Sequence, residues 1–120
     1  GLRENRTLMD FNTYQAETNK TATYPVDDEH KMFMYLTGQL SCEAGEVNGK
    51  FAKQIRDKQS DFSCPVFLDG VKKELGDVLW YIAQTAEGLG LSLGDIAATN
   101  LAKLRDRQAR GVLHGSGDNR

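Results

Sequence analysis

Between Asp28 and Lys58 apolar residues return every third or fourth position: Phe33, Leu36, Leu40, Ala44, Val47, Phe51 and Ile55. A period near 3.6 held over that distance specifies one long amphipathic helix, and its stripe has to be covered by another packed element. A second stripe, Leu68, Val71, Leu75, Val78, Leu79, Ile82 and Ala86, predicts a helix from about Leu68 to Glu87. The segment from Gln59 to Phe67 reads as a loop with Pro65 as its breaker. Asp27 or Asp28 caps the long helix, and Gly88 or Gly90 ends the next one. Ser92-x-x-Asp95 is a capping box for a further helix to about Ala109, with Ile96, Ala97, Leu101 and Leu104 apolar and Gly111 as terminator. Upstream, Thr7 is the expected N-cap of a helix carrying Leu8, Phe11, Tyr14 and Gln15 to about Lys20, followed by a connector containing Pro25. No segment alternates as a strand does. The expected fold is all-α: a four-helix-type bundle over residues 7–110, a disordered segment at 1–6 and a Gly-rich tail at 111–120.

The long helix carries Gly38, Gly45 and Gly49, each weakening it by up to ~1 kcal/mol relative to Ala. Close approach of another backbone or a ligand, or plain tolerance, would account for them.

The net charge of −2 leaves no basic excess to neutralise a nucleic-acid backbone, so nucleic acid is not an expected partner. Arg105, Arg107 and Arg110 form a local basic cluster better suited to a small anion. Cys42 and Cys64 lack metal-ligand spacing and read as free thiols of a reducing, cytoplasmic environment. No apolar run approaches the ~18 residues that a membrane span needs.

Two acidic pairs stand out against this frame: Glu43 and Glu46, then Glu74 and Asp77. Each pair is spaced to place both carboxylates on one helix face, at the rim of the apolar stripe. Three readings follow. The first is a solvated charged face. The second is a di-iron carboxylate bundle, which wants Glu-x-x-His on two helices; here the nearest match is the adjacent Glu29-His30, which points elsewhere. The third is phosphate chemistry assisted by a hard divalent cation, Mg²⁺ above all, with a spare carboxylate to activate water. That reading needs cations for outer phosphates, for which Lys50, Lys53, Lys103, Arg107 and Arg110 are available. It also needs a surface for a base, for which Trp80, Tyr81 and Asn100 are available.

At these residues the sequence resembles the MazG-like nucleoside triphosphate pyrophosphohydrolases of the all-α NTP pyrophosphatase superfamily. The shared signature is Glu-x-x-Glu, a spacer, then Glu-x-x-Asp, here Glu43-Ala-Gly-Glu46, 27 residues, and Glu74-Leu-Gly-Asp77. The words LSCEAGEV, KELGDVLWYIA and GLSLGDIAATNLAKLRDR carry the likeness further, from about Met9 to Arg120. The resemblance implies cleavage of a nucleoside or deoxynucleoside triphosphate between the α and β phosphates. Glu43, Glu46, Glu74 and Asp77 would hold Mg²⁺, with Mn²⁺ as a substitute, and Glu46 or Glu43 would act as the base. Tyr81 matches a position lining the sugar and base pocket. Asn100 and Lys103 match positions facing the nucleotide, and Lys53, Arg107 and Arg110 are candidates for phosphate contact. Tyr14 and Gln15 are candidates for reaching the base, with packing the default for Tyr14. Trp80 is assigned to core or interface packing. His114, Ser116 and Asp118 are candidates for closing over phosphates. The resemblance further implies a homodimer or homotetramer. Relatives acting as dUTPases or phosphoribosyl-ATP pyrophosphatases share the metal motif. A non-catalytic nucleotide-binding helical oligomer is the reading from outside the enzymes.

Overall fold

Helix ends in this chain are set by short polar side chains placed where backbone N–H groups lack partners. A computed structural model describes residues 8–24 and 26–118. Asp10 accepts from the Thr13 N–H at 2.7 Å and opens α1, Phe11–Thr18, which runs into a 3-10 turn, Asn19–Thr21. Asp28 accepts from the Lys31 N–H at 2.8 Å and opens α2, Glu29–Lys58. Helix α3 spans Pro65–Leu89, and α4, Leu93–Ala109, begins at Ser92, whose side chain accepts from the Asp95 N–H. Among the described residues there are four α-helices and no strand.

Two boundaries differ from the sequence reading. Asp10, not Thr7, caps α1, and Leu8 lies outside the helix, almost fully exposed; Thr7 itself, the segment 1–6 and Pro25 fall outside the described residues. Pro65 does not end a loop but starts α3, because the first helical position needs no N–H and favours the fixed φ of proline. Helices α3 and α4 both end in glycine turns. Gly90 adopts φ +70° while Leu91 N–H reaches Ala86 O, and Gly111 adopts φ +74° while Val112 N–H reaches Arg107 O.

The reversal after α2 is made without glycine. Gln59 and Ser60 both take positive φ, 55° and 61°. Buried Gln54 holds them by donating to Asp61 O at 2.6 Å. The turn sends α3 back antiparallel along α2, and this pair is the main packing unit. Phe51, Phe62 and Phe67 close one end in mutual ring contact. Leu36 and Ala83 are fully enclosed toward the other, where Gly88 makes room: a Cβ there would stand 2.9 Å from Met32 Cε and 3.0 Å from the Phe33 ring.

Helix α1 is fastened by two buried glutamines rather than by an apolar face. Gln15 donates to Glu87 Oε1 and Leu91 O and accepts from Leu93 N–H at 2.6 Å, bridging the α3–α4 turn. Gln84 on α3 donates to Thr18 Oγ1 and Asn19 Oδ1 and accepts from the Tyr24 hydroxyl.

The α2 stripe is only partly covered by its own chain, since Ala44, Phe51 and Ile55 are exposed. Among the described residues, nothing beyond the helix's own nearby backbone lies within 4 Å of a Cβ built at Gly38, Gly45 or Gly49, so no close approach within the described chain explains these glycines. Gly38→Ala is accordingly expected to gain about 0.5–1 kcal/mol, whereas Leu36→Ala, at a fully enclosed position, is expected to lose about 2–5 kcal/mol. Urea unfolding followed by circular dichroism checks both signs.

Candidate active site

The antiparallel α2–α3 pair turns sequence spacing into a meeting of charges. Glu43 projects from α2 toward Glu74 and Asp77 of α3, and one carboxylate oxygen from each lies within 4.8 Å of the others. Glu43 and Glu74 are half-buried and Asp77 is exposed. Burial pushes the Glu43 carboxyl above its usual range, and the charges of Asp77, Glu74 and Glu46 push it further. An all-oxygen, all-anionic donor set under mutual repulsion is the chemistry that hard divalent cations neutralise, so the residues fit such an ion. Glu46 is exposed and stands outside the converging three, although its charge bears on Glu43.

Beside the acids lies a cavity of about 350 Å³ lined by Thr21, Glu43, Asp77, Trp80 and Tyr81. The Trp80 indole N–H donates to Thr21 Oγ1 at 2.8 Å, and its ring meets Tyr81 edge-on with centroids 5.0 Å apart. Tyr24 stacks on Tyr35, which in turn packs against Tyr81. Burial, hydrogen bonding to Tyr35 and the nearby carboxylates push the Tyr81 phenol up to about 12, so it stays a neutral O–H donor at physiological pH. Burial and the charge of Asp77 also raise the Tyr14 phenol, placing Tyr14 within the same field.

Other expected residues lie elsewhere in the single chain. Asn100 and Lys103 line a separate cavity of about 430 Å³ with Leu91, Asp95, Ile96 and Thr99. Lys53 lines a third, with Lys50 and Lys58. Arg107 is buried rather than on a solvated face: it donates to Asp118 O at 2.7 Å and, with Lys103, binds the Asp118 carboxylate at 3.4 Å, so the tail is folded back on α4 through residue 118. Arg110 pairs with Asp106 at 2.8 Å. Gln15 is committed to its backbone bridge and does not face the site.

Sequence reasoning missed Thr21 and Tyr35, and it offered Trp80 as a surface for a base while favouring core or interface packing for it. A helical wheel placed Trp80 about 100° from Tyr81. It could not show that the 3-10 turn after α1 would offer a hydroxyl to the indole. The need of a half-buried indole N–H for a partner was the available signal.

Residues 33–112 match the MazG nucleotide pyrophosphohydrolase domain, which covers the helices that build the acidic cluster. The chain belongs to that family. It is similar to the Gene 37 protein of Mycobacterium phage L5, 41% identical over 115 residues that span 93% of this chain and 100% of the relative. No solved structure matches it.

A divalent cation that relieves repulsion among the acids is expected to bind the folded state preferentially and to raise the melting temperature with the logarithm of its concentration above Kd. Millimolar Mg²⁺ is expected to raise Tm by about 3 °C or more over chelator. Glu43→Gln is expected to raise Tm by about 1–3 °C in chelator, allowing for solvent screening, and to abolish the Mg²⁺ increment. Differential scanning calorimetry reads both.

Proposed function

We propose that this protein is an Mg²⁺-dependent nucleotide pyrophosphohydrolase that cleaves nucleoside or deoxynucleoside triphosphates between the α and β phosphates. The products are a nucleoside monophosphate and pyrophosphate, and the role is housecleaning of the cytoplasmic nucleotide pool. The observation that carries this reading is the convergence of Glu43, Glu74 and Asp77 beside an aromatic cavity, in a chain of the MazG family.

When bound, Mg²⁺ (or Mn²⁺ in its place) would neutralise phosphate oxygens and polarise phosphorus. Glu74 and Asp77 would hold it together with Glu43 or Glu46 from α2. Glu46 or Glu43, whichever is not engaged as a ligand, takes the proton of the attacking water. The water oxygen bonds to the α phosphorus as its bond to the bridging oxygen breaks, so the monophosphate keeps the water oxygen and pyrophosphate leaves with the bridging one. Tyr81, held neutral, donates to a sugar or phosphate oxygen. Trp80 offers its ring face to the base from the wall of the cavity.

Asn100 and Lys103 reach the nucleotide, in this reading, only in a homodimer or homotetramer, while Arg107 and Arg110, held by Asp118 and Asp106, reach it only if they exchange those partners for phosphate. Support comes from apolar side chains left uncovered on one chain: Met34, Phe51 and Ile55 of α2, and Leu68, Leu75 and Leu89 of α3, are each more than a third exposed. No helix of the described residues is long and apolar enough to cross a membrane. Both cysteines are unpaired, as a reducing compartment would keep them.

The test is pyrophosphate release from a panel of canonical and modified triphosphates, with Mg²⁺ and with chelator. Activity is expected only with metal, and Glu43→Gln or Asp77→Asn is expected to lower kcat by about 10²-fold or more. Turnover that survives chelator, or survives both substitutions, overturns the mechanism. Trp80→Ala is expected to raise KM by about tenfold with a smaller effect on kcat, through loss of ring contact with the base.

A further inference from the structure

The seam between α2 and α3 does not end at the carboxylates. One turn beyond Glu46 on α2 stands Lys50, and one turn before Glu74 on α3 stands Gly70, a step of about 6 Å along each helix. Lys50 leaves the acids unpaired and lays its stem across Gly70, its Nζ 3.5 Å from where a Cβ would sit. There it opens a cavity of about 390 Å³, into which Lys53 and Lys58 also face, with Cys64, Val66 and Phe67 forming the wall.

Three ammonium groups around one cavity repel one another. Among the described residues none of them forms a salt bridge, while Lys20, Lys31, Lys73 and Lys103 each pair with a carboxylate. The acid nearest in sequence, Asp57, is held by Arg56 at 2.7 Å and only weakly feels Lys53 and Lys58. Lys50 has an acid four residues N-terminal to it, the favourable order for a helical ion pair, yet points the other way. Lys50 is half-buried and Lys53 and Lys58 are exposed, so the cavity carries unpaired positive charge on its wall and rim, which suits an anion of high charge density.

The seam therefore has an order: the aromatic wall at Trp80 and Tyr81, the carboxylates at Glu43, Glu74 and Asp77, then the lysines. We propose that the Lys50–Lys53–Lys58 cavity receives the outer two phosphates of the triphosphate, and after cleavage the pyrophosphate. The base lies at the opposite end of the seam and the scissile bond over the carboxylates. This assignment rests on the pyrophosphohydrolase reading and adds to it the direction in which the substrate lies. It also explains how a leaving group carrying several negative charges departs from beside an acidic cluster: the lysines take up the charge that the bond cleavage places on it.

The probe is inorganic pyrophosphate, titrated calorimetrically into the whole protein in Mg²⁺ buffer and used as an inhibitor of triphosphate turnover. The variant Lys50→Gln/Lys53→Gln/Lys58→Gln is expected to bind pyrophosphate about tenfold or more weakly, raise KM for the triphosphate, and leave affinity for the nucleoside monophosphate unchanged. A control variant, Lys20→Gln/Lys31→Gln/Lys73→Gln, removes the same charge from paired surface positions and is expected to change none of these. Pyrophosphate affinity within twofold of the unaltered protein in the cavity variant, or an equal loss in the control, overturns the proposal. Pyrophosphate inhibition that depends on the cavity lysines but is not competitive with triphosphate also overturns it, because it means a separate anion site. If the unaltered protein hydrolyses no triphosphate, the hydrolase reading fails by itself. The titration then reads the cavity alone, and lysine-dependent binding of pyrophosphate keeps the anion assignment.

Discussion

The antiparallel packing of α2 on α3 is the constraint from which the rest follows. It is built at its ends by ordinary means: ring contacts among Phe51, Phe62 and Phe67 at one, enclosure of Leu36 and Ala83 toward the other. Between these ends the facing positions are not apolar but Glu43, Glu74 and Asp77. Apolar burial at the ends holds the carboxylates together against their repulsion, as a rigid scaffold must if acidic groups are to be presented ready-made to a ligand. The aromatic residues that flank the acids, Tyr35, Trp80 and Tyr81, belong to the same seam.

Helix α1 contributes differently. It is only two turns long and holds its place through Gln15 and Gln84, which together bond to α3, the 3-10 turn and the start of α4. A buried amide satisfied on both its donor and acceptor sides fixes orientation as well as distance, which a greasy contact does not. The consequence reaches the site, because the turn so positioned is the one that offers Thr21 to the Trp80 indole. A wall of the candidate nucleotide cavity thus depends on two glutamines that touch no part of it.

The long-period features were legible in the sequence. The extents of α2 and α4, the caps at Asp28 and Ser92, and the glycine turns at Gly90 and Gly111 followed from periodicity and capping chemistry, since those are local properties. The spacing led to an expectation of four carboxylates in one space, and the fold brings Glu43, Glu74 and Asp77 together with Glu46 outside the three. What depended on three dimensions was not legible. Arg107 reads as a surface arginine on any wheel, and its burial arises only because the tail folds back to offer Asp118. Gln15 reads as a candidate for reaching the base and Gln84 draws no expectation, since nothing local marks an amide as the link between distant backbone groups. Pro65 was misplaced for a simpler reason: proline breaks a helix from within but begins one well.

The acidic seam also couples stability to ligation. Because burial and its neighbours hold the Glu43 carboxyl above its ordinary value, the folded state binds a proton there more readily than the unfolded chain does. Stability from this group is therefore greatest at acid pH and falls as pH rises through the window between the ordinary and the raised value. A divalent cation among the three carboxylates would supply positive charge where the bound proton is lost. In that range occupancy of the site and integrity of the α2–α3 pair draw on the same interaction. A substitution that relieves the acids should stabilise the metal-free chain at the expense of the chemistry, the trade expected where a fold keeps like charges together for function.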